Sequence, residues 1–409
     1  MNKHFYPMCL MIVVVIGVTV ACGLPVSTPR EPTETAEVIS TQPMPLEEAT
    51  ATDEVIPPIL PTAMDTELAT EPATNMINSG QIAYRYDNQV WRYLVDSGEM
   101  IQVSSGVTGD EFSMTYGRAQ FSPDGRFLAY NLGDGSWIQN FEVGTRIDIS
   151  PYGQFIAWQG EGTQFYAVQG EMECPAIEDL DDQELLNFDI VRLDLTDLNN
   201  ATLIANISGG LRFMSAISPN GEWASINICG CYSECGPASL WHLPSLSVIT
   251  PPAGVEVGNF DFSPDSQQMT VSLQQMYDYV ESALYVANTD YSEMIEVFSA
   301  SNTAPLDARW SPDGEWIAFT TVSFADDEFT ETDRCVRLIR PDGGQESVVE
   351  CAAAKLATWS PDGGQLLFSQ NEGSLDQFFI YDLNTGTKTP IPIQVDPYTR
   401  GYIAWGRLP

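Results

Sequence analysis

The sequence predicts an all-β chain that folds as a β-propeller, with seven four-stranded blades closed by pairing the N- and C-terminal strands. Three observations indicate this class. A proline-centred motif recurs six times after residue 79, 31 glycines and 27 prolines are spread along 409 residues, and no stretch keeps the 3.6-residue apolar period of an amphipathic helix. Many short strands joined by tight turns account for all three.

The repeated motif has the chemistry of a hairpin turn. Proline fixes φ near −65°, Asp or Asn accepts local backbone N–H bonds, and glycine supplies positive φ. A short apolar strand follows each copy, so we expect the turn to join the first two strands of a blade. The copies are residues 121–125, 149–153, 217–221, 262–266, 310–314 and 359–363.

This Ser-Pro-Asp-Gly pattern, followed by a strand, resembles the WD40-like repeats of TolB-type propellers and of the propeller domains of some peptidases. The resemblance covers about 330 residues. It implies the propeller fold, and the TolB side of it implies protein–protein assembly at the cell envelope. It carries no partner-contact residue over to this chain, because propellers serve many functions.

The number of blades depends on the two ends of the repeat region. Residues 80–105 resemble a blade without its first strand, and residues 402–406 resemble a single strand. Joining them closes the ring and removes exposed sheet edges. This shared blade and six motif-bearing blades make seven, although the interval of only 28 residues between the first two motif prolines leaves six as the alternative.

The N-terminus predicts export. Residues 8–21 form an apolar run of 14, which suits the core of a signal peptide better than a transmembrane helix. The run ends in a sequence that resembles a lipobox at Cys22, although Thr19 stands where leucine is usual. We predict a signal peptide at 1–21 and a lipid on Cys22, which anchors the protein on the outer side of a bacterial cell membrane. A signal peptide without lipidation is the alternative.

A linker separates this anchor from the propeller. Residues 23–78 contain nine Pro, ten Thr and ten acidic residues, and no Phe, Trp, Tyr or Cys. Such a segment buries too little apolar surface to offset its ordering entropy. We therefore predict three parts: the signal peptide, a lipidated cysteine with a disordered tether at 22–78, and the propeller at 79–409.

Composition excludes several functions. With 56 acidic against 17 basic residues, the net charge of −39 repels phosphate backbones and disfavours nucleic-acid binding. His242 is the one histidine beyond the signal region, which disfavours histidine-based triads and metal sites. We expect no cofactor. A basic partner or a bound divalent cation is the alternative to plain solubility as a reason for the charge.

The cysteines beyond Cys22 predict disulfides, because an even number in an exported domain is typical of them. Cys335 and Cys351 flank a turn at 341–344 and should pair on adjacent strands. The other four should form two further bonds whose pairing the sequence leaves open. A four-cysteine zinc site is disfavoured by spacing and by an oxidising compartment. These four are Cys174, Cys229, Cys231 and Cys235.

The candidate binding face is built from the connections between second and third strands in blades three to six. We place these at 159–188, 228–238, 274–282 and 321–334, on the face opposite the motif turns. Long loops on a rigid scaffold commonly carry binding. Calcium is a weak alternative for the two acidic runs, since neither has the usual loop spacing. The candidate residues are Asp179, Asp181, Asp182, Tyr232, Tyr277, Tyr279, Phe324, Asp326 and Asp327.

These features favour a non-catalytic, monomeric binding or scaffold protein. Its partner would be a protein or a cell-envelope polymer such as a glycan, with membrane contact only through the lipid. The alternative is a propeller hydrolase or glycosidase-like enzyme with carboxylates near the central channel, such as Asp148, Asp261 and Asp307. A Gly-x-Ser-x-Gly nucleophile motif is absent from the sequence.

Overall fold

The structure is a computed structural model of the chain. It describes residues 80–86, 89–104, 119–132, 135–160, 162–170, 187–208, 212–229, 235–251, 257–275, 278–325, 330–372, 375–395 and 403–409. All of them belong to one compact unit, residues 72–409. These residues form seven four-stranded antiparallel sheets, the seven blades of a β-propeller, which confirms the predicted fold and blade number.

The first three blades contain the following strands, given from the centre outward. Blade one has β28 (Ala404–Gly406), β1 (Gln81–Tyr86), β2 (Gln89–Leu94) and β3 (Glu99–Gln102). Blade two has β4 (Ala119–Phe121), β5 (Phe127–Leu132), β6 (Gly135–Asn140) and β7 (Arg146–Asp148). Blade three has β8 (Gln154–Gln159), β9 (Gln164–Gln169), β10 (Asn187–Asp194) and β11 (Asp197–Ser208).

The remaining blades follow the same order. Blade four has β12 (Arg212–Ile217), β13 (Trp223–Cys229), β14 (Cys235–His242) and β15 (Ser247–Ile249). Blade five has β16 (Val257–Phe262), β17 (Gln268–Gln275), β18 (Asp278–Asn288) and β19 (Ile295–Ser299). Blade six has β20 (Thr303–Trp310), β21 (Ile317–Phe324), β22 (Glu331–Ile339) and β23 (Ser347–Glu350). Blade seven has β24 (Ala354–Trp359), β25 (Gln365–Glu372), β26 (Leu375–Asp382) and β27 (Thr387–Val395).

The antiparallel order gives the propeller two distinct faces. The innermost strands of neighbouring blades contact one another around the centre. Turns between first and second strands, and between third and fourth, meet on one face, which we call the motif face. Connections between second and third strands, and from each blade to the next, meet on the other, which we call the crossing face. Among the described residues, no helix is long and apolar enough to span a membrane.

A buried serine holds each motif turn together. In blade six, Ser311 Oγ accepts the Trp316 N–H at 2.9 Å and donates to Asp313 Oδ1 at 2.5 Å. Asp313 Oδ1 also accepts the Glu315 N–H at 3.0 Å, so one Ser-Asp pair satisfies two backbone donors of the turn. Ser122, Ser218, Ser263 and Ser360 repeat this geometry.

The motif copy at 149–153 is different, and its prediction as a blade hairpin was wrong. Ser150–Tyr152 form a 3-10 turn in the connection from β7 of blade two to β8 of blade three, on the crossing face. Tyr152 stands where the other copies carry Asp or Asn, so the Ser150 hydroxyl has no carboxylate or amide two residues later to donate to. Its Oγ instead accepts the Ser136 N–H at 2.9 Å. This displacement explains the interval of 28 residues.

The predicted closure between the chain ends is confirmed. β28 pairs antiparallel with β1, from Gln81 opposite Gly406 to Ala83 opposite Ala404. Gln81 is fully buried, and its Nε2 donates to the Gly125 carbonyl at 2.9 Å and to the Arg407 carbonyl. Gly125 has φ +75°, and a Cβ there would lie 2.1 Å from the Arg407 carbonyl oxygen. Gln81 therefore joins the start of β1 to the first motif turn and to the end of the chain.

The hydrophobic core lies largely between adjacent blades. One cluster joins Phe127 and Ile138 of blade two to Phe155, Trp158 and Phe165 of blade three. Another joins blades five and six through side chains that include Phe298, Trp310 and Phe319. Because each blade is covered by its two neighbours, ring closure is what buries the first and last of them.

Candidate functional site

The crossing face carries the candidate site, and the structure revises where its connections begin. In blade three, β8 ends at Gln159 and β9 begins at Gln164, so the connection between them lies on the motif face. The connection on the crossing face therefore runs from 170 to 186, and the predicted bounds of 159–188 wrongly included β9. The long connection still belongs to the predicted face.

The other predicted loops are mostly paired strand. In blade five, β17 and β18 pair as far as Gln275 opposite Asp278. In blade six, β21 and β22 pair as far as Phe324 opposite Glu331. In blade four, pairing reaches Cys229 opposite Cys235. The expectation of open loops was thus wrong for these blades, which instead extend their hairpins.

The extended hairpins project from the crossing face by an amount that can be worked out. Counted from its motif serine, the second strand ends after ten residues in blade two, at Leu132. It ends after 12 in blade five, 13 in blade six and 12 in blade seven, at Gln275, Phe324 and Glu372. At about 3.3 Å per residue, two to three extra residues add roughly 7–10 Å. The hairpins of blades five to seven therefore extend further from the crossing face than the hairpin of blade two.

The blade-six hairpin is rigidly braced near its tip. The Phe324 N–H donates to the Asn302 carbonyl and the Ala325 N–H to the Thr330 carbonyl, both at 2.8 Å. The Arg334 guanidinium forms two bonds to the carboxylate of Glu331, at 3.0 and 2.7 Å. Two parallel hydrogen bonds between a guanidinium and a carboxylate strengthen the ion pair and also fix the orientation of the two side chains. The described ends of β21 and β22 are thus held in place by hydrogen bonds, and the half-buried Phe324 ring lies at the end of β21.

A disulfide braces the base of the same hairpin. Cys335 on β22 is bonded to Cys351, which directly follows β23, as the sequence predicted. Asp333 Oδ1 accepts the Ala352 N–H at 3.2 Å, and Gln370 Nε2 donates to the Cys351 carbonyl at 2.9 Å. Asp333 lies near both sulfur atoms, but cysteines joined in a disulfide offer no thiolate to a metal ion. The bond ties blade six to the connection into blade seven.

Most of the other predicted residues fall outside what the structure describes. Phe324 is the one candidate binding residue whose side chain is described. Tyr279 lies in β18, and Cys229 and Cys235 lie in β13 and β14, but their side chains are outside the described part. Cys22, Cys174, Cys231, Asp179, Asp181, Asp182, Tyr232, Tyr277, Asp326 and Asp327 lie outside the described residues altogether.

The predicted channel carboxylates are not brought together as a set. Asp148 lies on β7, the outermost strand of blade two, where it accepts the Ser150 N–H at 2.9 Å. Asp261 lies on the inner strand β16, and its Oδ2 accepts the Trp310 N–H at 2.8 Å. Asp307 lies on β20 and is exposed. Asp261 and Asp307 thus share the channel region, whereas Asp148 does not belong to it.

Hydrogen bonds stabilise several turn carboxylates of the motif face in the charged form. The Ser263 hydroxyl and the Gln267 N–H lower the pKa of Asp265, and the Thr196 N–H and hydroxyl lower the pKa of Asp194. At Asp124, burial raises the pKa, but hydrogen bonds from Ser122 and Arg126 together outweigh it. These carboxylates hold turns in shape, so we assign them a structural role.

Comparison with known proteins supports the fold. No protein-family model matches the chain, and no curated protein matches it. An oligogalacturonate lyase from Vibrio parahaemolyticus superposes with a TM-score of 0.54 at 12% identity, over 74% of this chain and 91% of that one. A prolyl endopeptidase superposes with a TM-score of 0.54 at 14% identity, over 78% of this chain and 50% of that one.

TolB from Acinetobacter baumannii is a further structural neighbour, with a TM-score of 0.43 at 14% identity, over 80% of this chain and 67% of that one. At such identities, similarity of structure shows the fold and leaves the activity open. The chain is a seven-bladed β-propeller whose structural neighbours include TolB proteins and propeller-containing lyases and peptidases.

Proposed function

We propose that this chain is a non-catalytic binding or scaffold protein that engages its partner through the crossing face, around blades three to seven. The observation that carries the proposal is the projection of the hairpins of blades five to seven. Their second and third strands continue beyond the length seen in blade two, and in blade six the residues Thr330, Glu331 and Thr332 at the start of the returning strand are exposed. Residues that do not stabilise the ring are available for recognition.

The partner is a protein or a cell-envelope polymer such as a glycan. A lipid on Cys22 would hold the protein on the outer side of a bacterial cell membrane through the acidic linker. Replacing Cys22 with serine should abolish labelling by a radioactive fatty acid; unchanged labelling would exclude this anchor.

The alternative is an enzyme that uses channel carboxylates, and one observation favours it: Asp307 is exposed on an inner strand. Carboxylate-dependent glycoside hydrolysis generally needs a pair, one acid and one base or nucleophile. Asp261 holds the backbone N–H of Trp310, which gives it a structural task and argues against the pair. Loss of polysaccharide cleavage in an Asp307→Asn variant would replace the binding proposal with this one.

The test shortens one hairpin and leaves the blade intact. Residues 323–331 are replaced by a short Gly-Ser turn, which removes the projecting tip of blade six. The matched control replaces residues 140–145, a turn on the motif face of blade two. Chemical crosslinking in intact cells, read by mass spectrometry, should lose partner crosslinks in the first variant and keep them in the second.

Melting temperatures of both variants report whether the ring remains folded. Equal crosslinking by the hairpin variant and the unchanged protein, with both folded, would contradict the proposal. Loss of crosslinks in the motif-face control alone would move the binding site to the other face.

A further inference from the structure

The inner strand of blade six departs from its neighbours in the side chains it presents to the channel. Three side chains on the described parts of the inner strands are exposed: Gln120 in blade two, and Asp307 and Arg309 in blade six. Two of the three thus lie on β20, two residues apart, and they carry opposite charges.

Arg309 replaces a hydrogen-bond acceptor used elsewhere in the ring. In blades two and five, the inner strand ends in Phe, and the side chain of the residue before that Phe accepts a backbone N–H from the next blade. Gln120 Oε1 accepts the Trp158 N–H at 3.4 Å, and Asp261 Oδ2 accepts the Trp310 N–H at 2.8 Å. Arg309 occupies the same position in blade six and has no acceptor to offer. Its side chain therefore contributes no such link between blades.

Asp307 departs from the neighbouring strands in its backbone. Five inner strands contain a one-residue bulge, and in blade six the bulge falls between Leu306 and Arg309. There Asp307 has φ +51°, which makes it the one non-glycine residue with positive φ inside any described strand. Such a conformation costs free energy and persists where the surroundings or a function require it. A glycine at this position would avoid the cost.

Neither charge is neutralised within the described part of the chain. The ion pairs there involve neither Asp307 nor Arg309. The Arg309 guanidinium donates to the Ala308 carbonyl at 3.3 Å, beside its own backbone. β20 thus carries two exposed and opposite charges, one at a non-glycine residue with positive φ and one where other blades place a hydrogen-bond acceptor. Such departures from local structural preference are expected at binding sites.

We propose that Asp307 and Arg309 form a binding site in the channel for a small zwitterion, a free amino acid or a short peptide. The ammonium group of the ligand binds Asp307 and its carboxylate binds Arg309. Asp307 and Arg309 are separated by one residue on β20, so an amino-acid backbone, with an ammonium group at one end and a carboxylate at the other, can form a charge-assisted hydrogen bond with each of them.

The net charge of the protein supports a zwitterion over a simple ion. At −39, the field of the whole molecule repels anions and attracts cations to many surface carboxylates. A molecule with no net charge experiences neither effect, so the local pair decides its binding. This inference does not depend on the crossing face and stands independently of the proposed function.

The test is titration calorimetry on the full chain with the twenty protein amino acids, dialanine, acetate and ethylammonium. Amino acids or dialanine should release or absorb heat, whereas acetate and ethylammonium should bind at least about tenfold more weakly, because each makes one of the two contacts. Comparing alanine with dialanine distinguishes a free amino acid from a peptide.

Variants locate the site. Arg309→Gln and Asp307→Asn should each weaken binding about tenfold or more, since each removes a charge-assisted bond. Asp307→Gly should abolish binding and raise the melting temperature, because glycine accepts positive φ. Arg407→Gln and Asp197→Asn, which alter charges outside β20, should leave affinity within about twofold. Absence of heat with every zwitterion, acetate binding as tightly as alanine, or unchanged affinity in the folded β20 variants would overturn the proposal.

Discussion

Replacing Gln81 with methionine tests how the propeller ring is held shut. Gln81 is fully buried, and its Nε2 donates to the carbonyls of Gly125 and Arg407, 44 and 326 residues away in the sequence. Methionine has a similar length and no N–H donor, so Gln81→Met removes both bonds with little change in volume. The perturbation acts where the first strand, the first motif turn and the chain end meet.

The expected magnitude follows from three contributions. Loss of the bond to Gly125 leaves a buried carbonyl without that donor, which costs roughly 2 kcal/mol. The bond to Arg407 is part-buried, so water can replace some of it and the loss is smaller. Against these, Gln81 Oε1 is a buried acceptor with no partner among the described residues, and its removal recovers roughly 1 kcal/mol. The net loss of unfolding free energy is about 1–2 kcal/mol.

The assay is thermal unfolding followed by circular dichroism, with hydrogen exchange to localise the effect. At about 2.1 cal/mol/K per residue over roughly 330 residues, 1–2 kcal/mol lowers Tm by about 1.5–3 °C. The backbone amides of residues 403–409 should exchange hydrogen faster in the variant, because β28 is held by three residue pairs with β1 and by the Gln81 bond to the Arg407 carbonyl. Gln164→Met is the matched control, since Gln164 makes one exposed bond to Asp194 at 3.2 Å. Equal Tm values for the two variants, with unchanged exchange at 403–409, would show that Gln81 does not hold the ring closed.

Three further predictions follow from the same contacts. Ser311→Ala should lower the unfolding free energy by about 1–2 kcal/mol in denaturant titration, because it leaves the buried turn without its acceptor; Ser150→Ala should cost less, since Ser150 does not brace a motif hairpin. The pKa of Asp265 in the folded state lies below its ordinary value of 3.8, so its contribution to stability is present above pH 3.8 and is lost as pH falls through the lowered pKa. The Tm should therefore fall at acidic pH, and it should fall less steeply in the Asp265→Asn variant. Cys229 and Cys235 are direct register partners on β13 and β14, so peptide mapping without reduction should find them bonded to each other; a bond from either to another cysteine would contradict this.

The fold was predictable because its main signal is local. A proline, an Asp or Asn and a glycine at fixed spacing determine a turn through nearby backbone bonds, and five copies behave as that chemistry requires. The copy at 149–153 does not form the predicted hairpin, because Tyr152 stands in place of the side-chain acceptor on which the turn depends. The first motif-face connection of blade three is instead the one between β8 and β9, which contains Gly160 and Gly162 and lacks the motif.

The candidate site was less predictable, because its features depend on distant parts of the chain. The hairpin tips of blades five and six were interpreted as loops because their polar residues lack a clear apolar alternation, yet register with the partner strand continues to Gln275 and Phe324. The role of Gln81 arises between β1, the first motif turn and the end of the chain, which only the closed ring brings together. A sequence pattern specifies which residues occupy a strand, whereas the neighbouring blade decides what their side chains meet.

The most direct test of partner binding through the crossing face is to locate the contact surface on the intact protein. A photoreactive amino acid is placed singly at exposed positions on each face: Thr330 and Thr332 on the crossing face, and Glu142 and Asp197 on the motif face. After illumination of intact cells, we expect a crosslinked partner from the crossing-face positions and none from the motif-face positions. Crosslinks from the motif face alone, or equally from both faces, would contradict this expectation.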